Sequence, residues 1–148
     1  MSIKRPQQEI DSQKKQQSLQ DIELVLKKTF SDELVGIYLF GSWGSEFQTP
    51  ESDIDLAILG SRKYAPADLW NTAQEIAAKL KRNIDLLDLR SVSTVMQMQV
   101  VSSGSRIYCA DDASCEQFED FVFSSYARLN EERREIIKDI QQRGSVYG

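Results

Sequence analysis

Asp53 and Asp55 stand two residues apart in a segment that is otherwise apolar, Ile54 and then Leu56 to Leu59. Successive side chains of a strand point to opposite faces, so these two carboxylates share one. Side by side they repel, and the arrangement costs stability unless a cation lies between them. Clustered carboxylate oxygens suit hard divalent ions, Mg²⁺ above all. Asp85, near the start of the apolar run Ile84 to Leu89, is the candidate third carboxylate. Asp88 is three residues further on, faces the other way in a strand, and is read as an exposed strand-end residue. A third carboxylate beside a same-face pair makes a site for two Mg²⁺ ions that clamp phosphate oxygens during an in-line displacement. Gly41-Ser42 supplies the complementary half. A turn placed directly after the apolar run Leu34 to Phe40 offers backbone N–H groups and a hydroxyl to the terminal phosphates of a nucleotide.

Composition supports carboxylate chemistry by exclusion. The 148 residues contain no histidine, which removes the commonest general base, the Ser-His-Asp and Cys-His nucleophile systems and histidine-ligated zinc. Eighteen basic against 23 acidic side chains give a net charge of −5, which argues against stable nucleic-acid binding by bulk attraction. Cys109 and Cys115 are too few for a disulfide framework and are read as ordinary reduced thiols of a cytoplasmic protein. The N-terminus lacks the apolar core of a secretory signal, and no apolar run approaches the ~20 residues a bilayer requires. No membrane association is expected.

Gly41-Ser42, ten intervening residues, then Asp53 and Asp55, with Asp85 on a following strand, resembles the signature of the DNA polymerase beta-like nucleotidyltransferase superfamily. The chain looks most like the MntA-type minimal nucleotidyltransferases, the antitoxin halves of toxin–antitoxin pairs whose toxin is a HEPN-domain ribonuclease. The likeness runs from about Leu34 to Tyr108 and includes Tyr38 to Ser42, Ser52 to Leu56 and Ile84 to Arg90. It implies an α/β (α+β) fold, a small mixed sheet of about four strands flanked by helices, with a long C-terminal helix and no separate acceptor domain. It also implies transfer of AMP from Mg·ATP to a tyrosine hydroxyl of the cognate HEPN toxin, which silences the ribonuclease.

Carried over residue by residue, Asp53 and Asp55 would bind the metals. Asp85 would help bind one of them and act as base or orient the attacking hydroxyl. Ser42 and the backbone at Gly41 would hold the β- and γ-phosphates. Glu46 departs from the pattern, because family members often carry glycine there, and it brings another carboxylate near the triphosphate. Two other readings compete: a nucleotidyltransferase acting on a small hydroxyl compound, and an antitoxin that binds and occludes its toxin without chemistry.

These residues need a scaffold, and the periodicity supplies one. The whole chain, 1–148, reads as a single domain of a size that buries a genuine core. Residues 1–18 are polar, either a frayed tail or the exposed start of a helix. Leu19, Ile22, Val25 and Leu26 keep helical spacing, so a helix is expected from Ile10 to a break at Ser31-Asp32. Strands are expected over 34–40, 53–59 and 84–89, with a short fourth over 105–109 and, over 41–52, a loop with room for a short helix at its start. Leu69, Ala73, Ile76 and Leu80 make one stripe of a helix over 65–81. Ser91 or Ser93 caps a helix that Gly104 ends.

A long helix over 113–143, with room for one break, closes the chain. Phe118, Phe121, Phe123 and Tyr126 give it more aromatic surface than one buried stripe uses, either extra packing or a patch for a partner. Trp43 and Phe47 are read as packing rather than base-stacking residues, and Tyr64 and Trp70 as core or interface residues. Arg62 and Lys63 are read as solvated, and Met96 and Met98 as core filler.

Overall fold

A computed structural model describes residues 6–41 and 53–144. The elements follow as α1 (Pro6–Phe30), a 3₁₀ turn (Ser31–Glu33), β1 (Leu34–Phe40), β2 (Ile54–Gly60), α2 (Pro66–Leu80), β3 (Ile84–Asp88), α3 (Thr94–Ser103), β4 (Ser105–Cys109) and α4 (Asp112–Gly144). The periodicity reading matches this order over the described residues. The helix ahead of β1 starts at Pro6 rather than Ile10, and the final helix runs unbroken. The phosphate-loop residues Ser42, Trp43, Glu46 and Phe47 lie outside the described residues.

The strands form one mixed sheet in the order β3-β2-β1-β4. β1 is antiparallel to β2 and to β4, whereas β2 and β3 run parallel, joined by the α2 crossover. A parallel neighbour requires such a crossover, and the helix it contains must pack back on the sheet. β1 and β2 are central, with both faces covered, which explains why they read as nearly continuous apolar runs.

Alternation along the strands divides the core in two. Ile37, Leu39, Ile54, Leu56 and Ile58 meet Ile22, Leu26 and Phe30 of α1 and Ile76 of α2. Tyr38, Phe40, Ala57, Leu59 and Leu89 meet Val100 of α3 and Phe118 and Val122 of α4. Met96 and Met98 pack against this second layer, and Tyr64 is buried in the first. Of the core and interface roles read for Trp70, the core is excluded, because it is 54% exposed on α2.

Helix ends follow local chemistry. The Ser93 hydroxyl accepts a hydrogen bond from the Met96 N–H at 3.2 Å and caps α3, and Gly104 follows the last turn. Pro66 opens α2 at a position where its missing N–H costs nothing. Asp111 caps α4, its carboxylate accepting from the Ala113 N–H and the Ser114 hydroxyl.

The cysteines correct the reading of reduced thiols. Cys109, the last residue of β4, and Cys115, in the first turn of α4, form a disulfide. The turn between the two elements folds the start of α4 back over the end of β4, bringing the two Cα atoms to 6.6 Å. That separation lies within the span of a disulfide. A spacing of six residues carried no such signal, because it depends on how the turn folds. Among the described residues, no helix is long and apolar enough to cross a membrane.

Candidate active site

Gly41, Asp53 and Asp85 converge because three strands present the same end. β1 finishes at Phe40, opposite Asp55 in the antiparallel register with β2. Asp55 lies beside Asp85 in the parallel register with β3. The Ile54 N–H donates to the Asn83 carbonyl at 3.0 Å and fixes where β2 and β3 begin relative to one another. Asp55 shares its face with Ala57 and Leu59, and Asp85 shares its own with Leu87 and Leu89, all in the α3/α4 layer. Asp53 precedes Asp55 by two residues. The three predicted carboxylates thus stand at one end of one sheet face.

Their electrostatics agree with the geometry. Asp55 is half-buried, while Asp53 and Asp85 are exposed. Burial, and then the negative charges of Asp85 and Asp53, push the Asp55 carboxyl above its ordinary pKa. Like charges held together in a partly dry place are an unpaid electrostatic cost, which a cation or a bound charged ligand relieves.

Gly41 adds a steric condition. Its φ is +80°, in the left-handed region, and a Cβ there would overlap the Asp55 carboxylate. Only glycine both adopts that turn cheaply and leaves the carboxylate its place.

The donor set fits Mg²⁺ without forming a finished cage. Among the described residues no three His, Cys, Asp or Glu side chains converge closely enough to enclose an ion. Mg²⁺ is ordinarily held by one or two carboxylates together with substrate phosphates and waters. Asp53, Asp55 and Asp85 match that incomplete kind of site.

Asp88 corrects the expectation of an exposed strand-end residue: it is 2% exposed. It faces the α1/α2 side, opposite Asp85, as the three-residue spacing requires. Its carboxylate accepts from the Tyr64 N–H at 2.8 Å, the Arg90 N–H at 3.0 Å and the Ser91 hydroxyl at 3.1 Å. Arg90 Nε donates in turn to the Gly60 carbonyl at 2.5 Å. This network ties the end of β3 to the segment after β2 and so holds the strand that carries Asp85. The sequence signal for it was Ser91 three residues after Asp88, the spacing of a side-chain-capped turn. Arg62, expected in solvent, is exposed but pairs with Glu33 at 3.1 Å.

The family described as polymerase beta, nucleotidyltransferase matches residues 20–113. The chain belongs to it. Within this nucleotidyltransferase family, the protein adenylyltransferase MntA of Shewanella oneidensis is 39% identical over 104 residues, 70% of this chain and 74% of that protein. A crystal structure of a toxin–antitoxin with AMP-PNP is 36% identical, with a TM-score of 0.73, over 83% of this chain and 98% of that one. A structure of the tri-AMPylated Shewanella oneidensis HEPN toxin in complex with MNT antitoxin is 35% identical, with a TM-score of 0.71, over 85% and 98%. The chain is thus a homologue of the MntA adenylyltransferase with the nucleotidyltransferase fold. Both the resemblance and the four-stranded mixed sheet read from the sequence hold.

Proposed function

We propose that this chain is an antitoxin that transfers AMP from ATP to a tyrosine hydroxyl of a cognate HEPN-domain ribonuclease toxin. The observation that carries the reading is Asp55 set against Asp85 across β2 and β3, with Asp53 two residues away, in a homologue of MntA. In this reading Ser42 and the backbone at Gly41 hold the β- and γ-phosphates, and Asp53 and Asp55 hold two Mg²⁺ ions, with Asp85 helping to hold one. Bound there, the ions neutralise charge on the phosphate oxygens. Asp85 takes the proton from the acceptor hydroxyl or orients that hydroxyl toward the α-phosphorus. The acceptor oxygen bonds to that phosphorus in line, its bond to the bridging oxygen breaks, and pyrophosphate leaves. Positioning and electrostatic stabilisation supply most of the rate, so a histidine-free chain is equipped for it.

All 148 residues belong to one nucleotidyltransferase domain in this reading. We assign it to the cytoplasm, where ATP and the RNA that a ribonuclease would attack are found. Its net charge of −5 fits a protein acceptor better than a nucleic-acid strand.

Incubation with Mg·ATP and a cognate HEPN-domain protein tests the reading by intact mass. The expected result is a toxin that gains the mass of AMP residues. The double variant Asp53→Asn, Asp55→Asn keeps the fold and loses transfer by at least about a hundredfold, the scale of losing preorganised electrostatic groups. Undiminished labelling in that variant removes these residues from the site. A stable complex in which the wild-type protein leaves the toxin mass unchanged supports occlusion instead.

A further inference from the structure

α4 continues well past the body it packs on. Its direction is fixed by three contacts. Cys115 is joined to Cys109 at the end of β4 remote from the carboxylates, and its disulfide sulfur lies 3.6 Å from the Val35 carbonyl at the start of β1. Four residues on, Glu119 pairs with Arg106, nearer the beginning of β4. Arg106 lies opposite Tyr38, and Ser105 opposite Leu39, one residue before Phe40 and two before Gly41. The helix therefore advances toward the end of the sheet that carries Gly41, Asp55 and Asp85. It does so in the layer covering the same face as those carboxylates.

From residue 131 to 143 every position is exposed, an overhang of about 20 Å at 1.5 Å per residue. The overhang keeps the apolar stripe of the packed half. Cys115, Phe118 and Val122 are buried and Leu129 is half-buried. Ile136 and Ile140 fall seven and eleven residues after Leu129, on the same side of the helix. They are nevertheless 59% and 60% exposed. A stripe that keeps its register after its own core has ended is an unfilled contact surface.

We propose that the overhang of α4, through Ile136 and Ile140, is the docking surface for the HEPN protein acceptor and brings its hydroxyl to Asp55 and Asp85. The inference rests on the function proposed above and names the surface that function needs. Position decides the occupant. Whatever covers this stripe meets the part of α4 that runs on toward the carboxylate end of the sheet, where an acceptor hydroxyl must arrive. A second copy of the chain seated there would stand in the acceptor's path and bring no substrate. The flanking residues Glu132, Arg133, Glu135 and Lys138 carry both signs, which suits the polar rim of a protein interface rather than a polyanion.

The double variant Ile136→Glu, Ile140→Glu tests this by calorimetric titration with the same cognate HEPN-domain protein, first without ATP. Binding is expected to weaken at least tenfold while the helical circular dichroism is unchanged. With Mg·ATP the variant should show a raised KM for the toxin and a preserved kcat. Ile136→Ala with Ile140→Ala should move the same way by less, which covers a glutamate variant that loses helix. Trp70→Glu, at an exposed position on the other face, should bind as wild type does.

Wild-type affinity in both isoleucine variants overturns the proposal. So does a change confined to self-association of this chain, which gives the stripe to a second copy. If the wild-type and Asp53→Asn, Asp55→Asn proteins bind the HEPN protein through the stripe and no AMP is transferred, the docking surface stands and the transferase reading falls. A wild-type chain that does not bind the HEPN protein overturns both.

Discussion

Gly41 and Asp55 are one steric unit made of a missing side chain and a present one. At φ +80° an L-residue pays about 1–2 kcal/mol for the left-handed turn, and its Cβ would occupy the place of the Asp55 carboxylate. Gly41→Ala should therefore cost little more than that in stability. It should lower AMP transfer by about a hundredfold, the usual consequence of an ångström-scale displacement of a reacting group. Denaturant unfolding and transfer kinetics on one preparation check the pair, and a variant with near-normal transfer would show that Asp55 has room to spare.

Asp55 also predicts a pH signature in the ion-free protein. Its proton is held more tightly in the folded state than in the unfolded chain, through burial and through Asp85 and Asp53. Below the ordinary carboxylate range both states are protonated and no difference arises. As pH rises, the unfolded chain releases the proton first, so stability falls until the folded-state carboxyl has also ionised. Asp55→Asn should thus raise the Tm at pH 7 and leave it unchanged near pH 3. The gain should be no more than about 1 kcal/mol, because water reaches this half-buried group. An equal gain at both pH values would assign the effect to packing.

Among the elements, those whose register is set by periodicity were legible. β1 and β2 announced themselves as apolar runs because helices bury both their faces, and α2 did so by its single stripe. The placement of the candidate carboxylates was legible for the same reason: alternation alone puts Asp53 and Asp55 on one face and sends Asp88 to the other. What that alternation left open was the company Asp88 keeps. Its burial depends on the Tyr64, Arg90 and Ser91 donors, which only the tertiary fold assembles. The Cys109–Cys115 disulfide was hidden for a like reason, since the turn between β4 and α4 decides it. In α4 the aromatic surplus was visible but its division was not. Phe118 is buried, whereas Phe121 is 62% and Phe123 43% exposed. Helical spacing gives each residue's angle about the axis and says nothing of where the supporting layer stops.

At the scale of the molecule, one sheet end presents three carboxylates that do not by themselves enclose an ion. Folding has placed Asp55 and Asp85 side by side against their mutual repulsion, which a bound cation relieves. If the phosphates complete the coordination, then Mg²⁺ alone binds weakly and AMP-PNP alone meets unrelieved carboxylate repulsion. The two together should raise the stability of the whole domain by mass action, by about 2.7 kcal/mol at a hundredfold excess over Kd. Thermal unfolding in four conditions measures this: neither, Mg²⁺ alone, AMP-PNP alone, and both. The expected Tm rise with both exceeds the sum of the separate rises. It disappears in Asp53→Asn, Asp55→Asn and survives in Ile136→Glu, Ile140→Glu, whose changes lie away from the carboxylates. Additive shifts, or a full shift with Mg²⁺ alone, would mean that the carboxylates close on the ion unaided and that the nucleotide is held elsewhere.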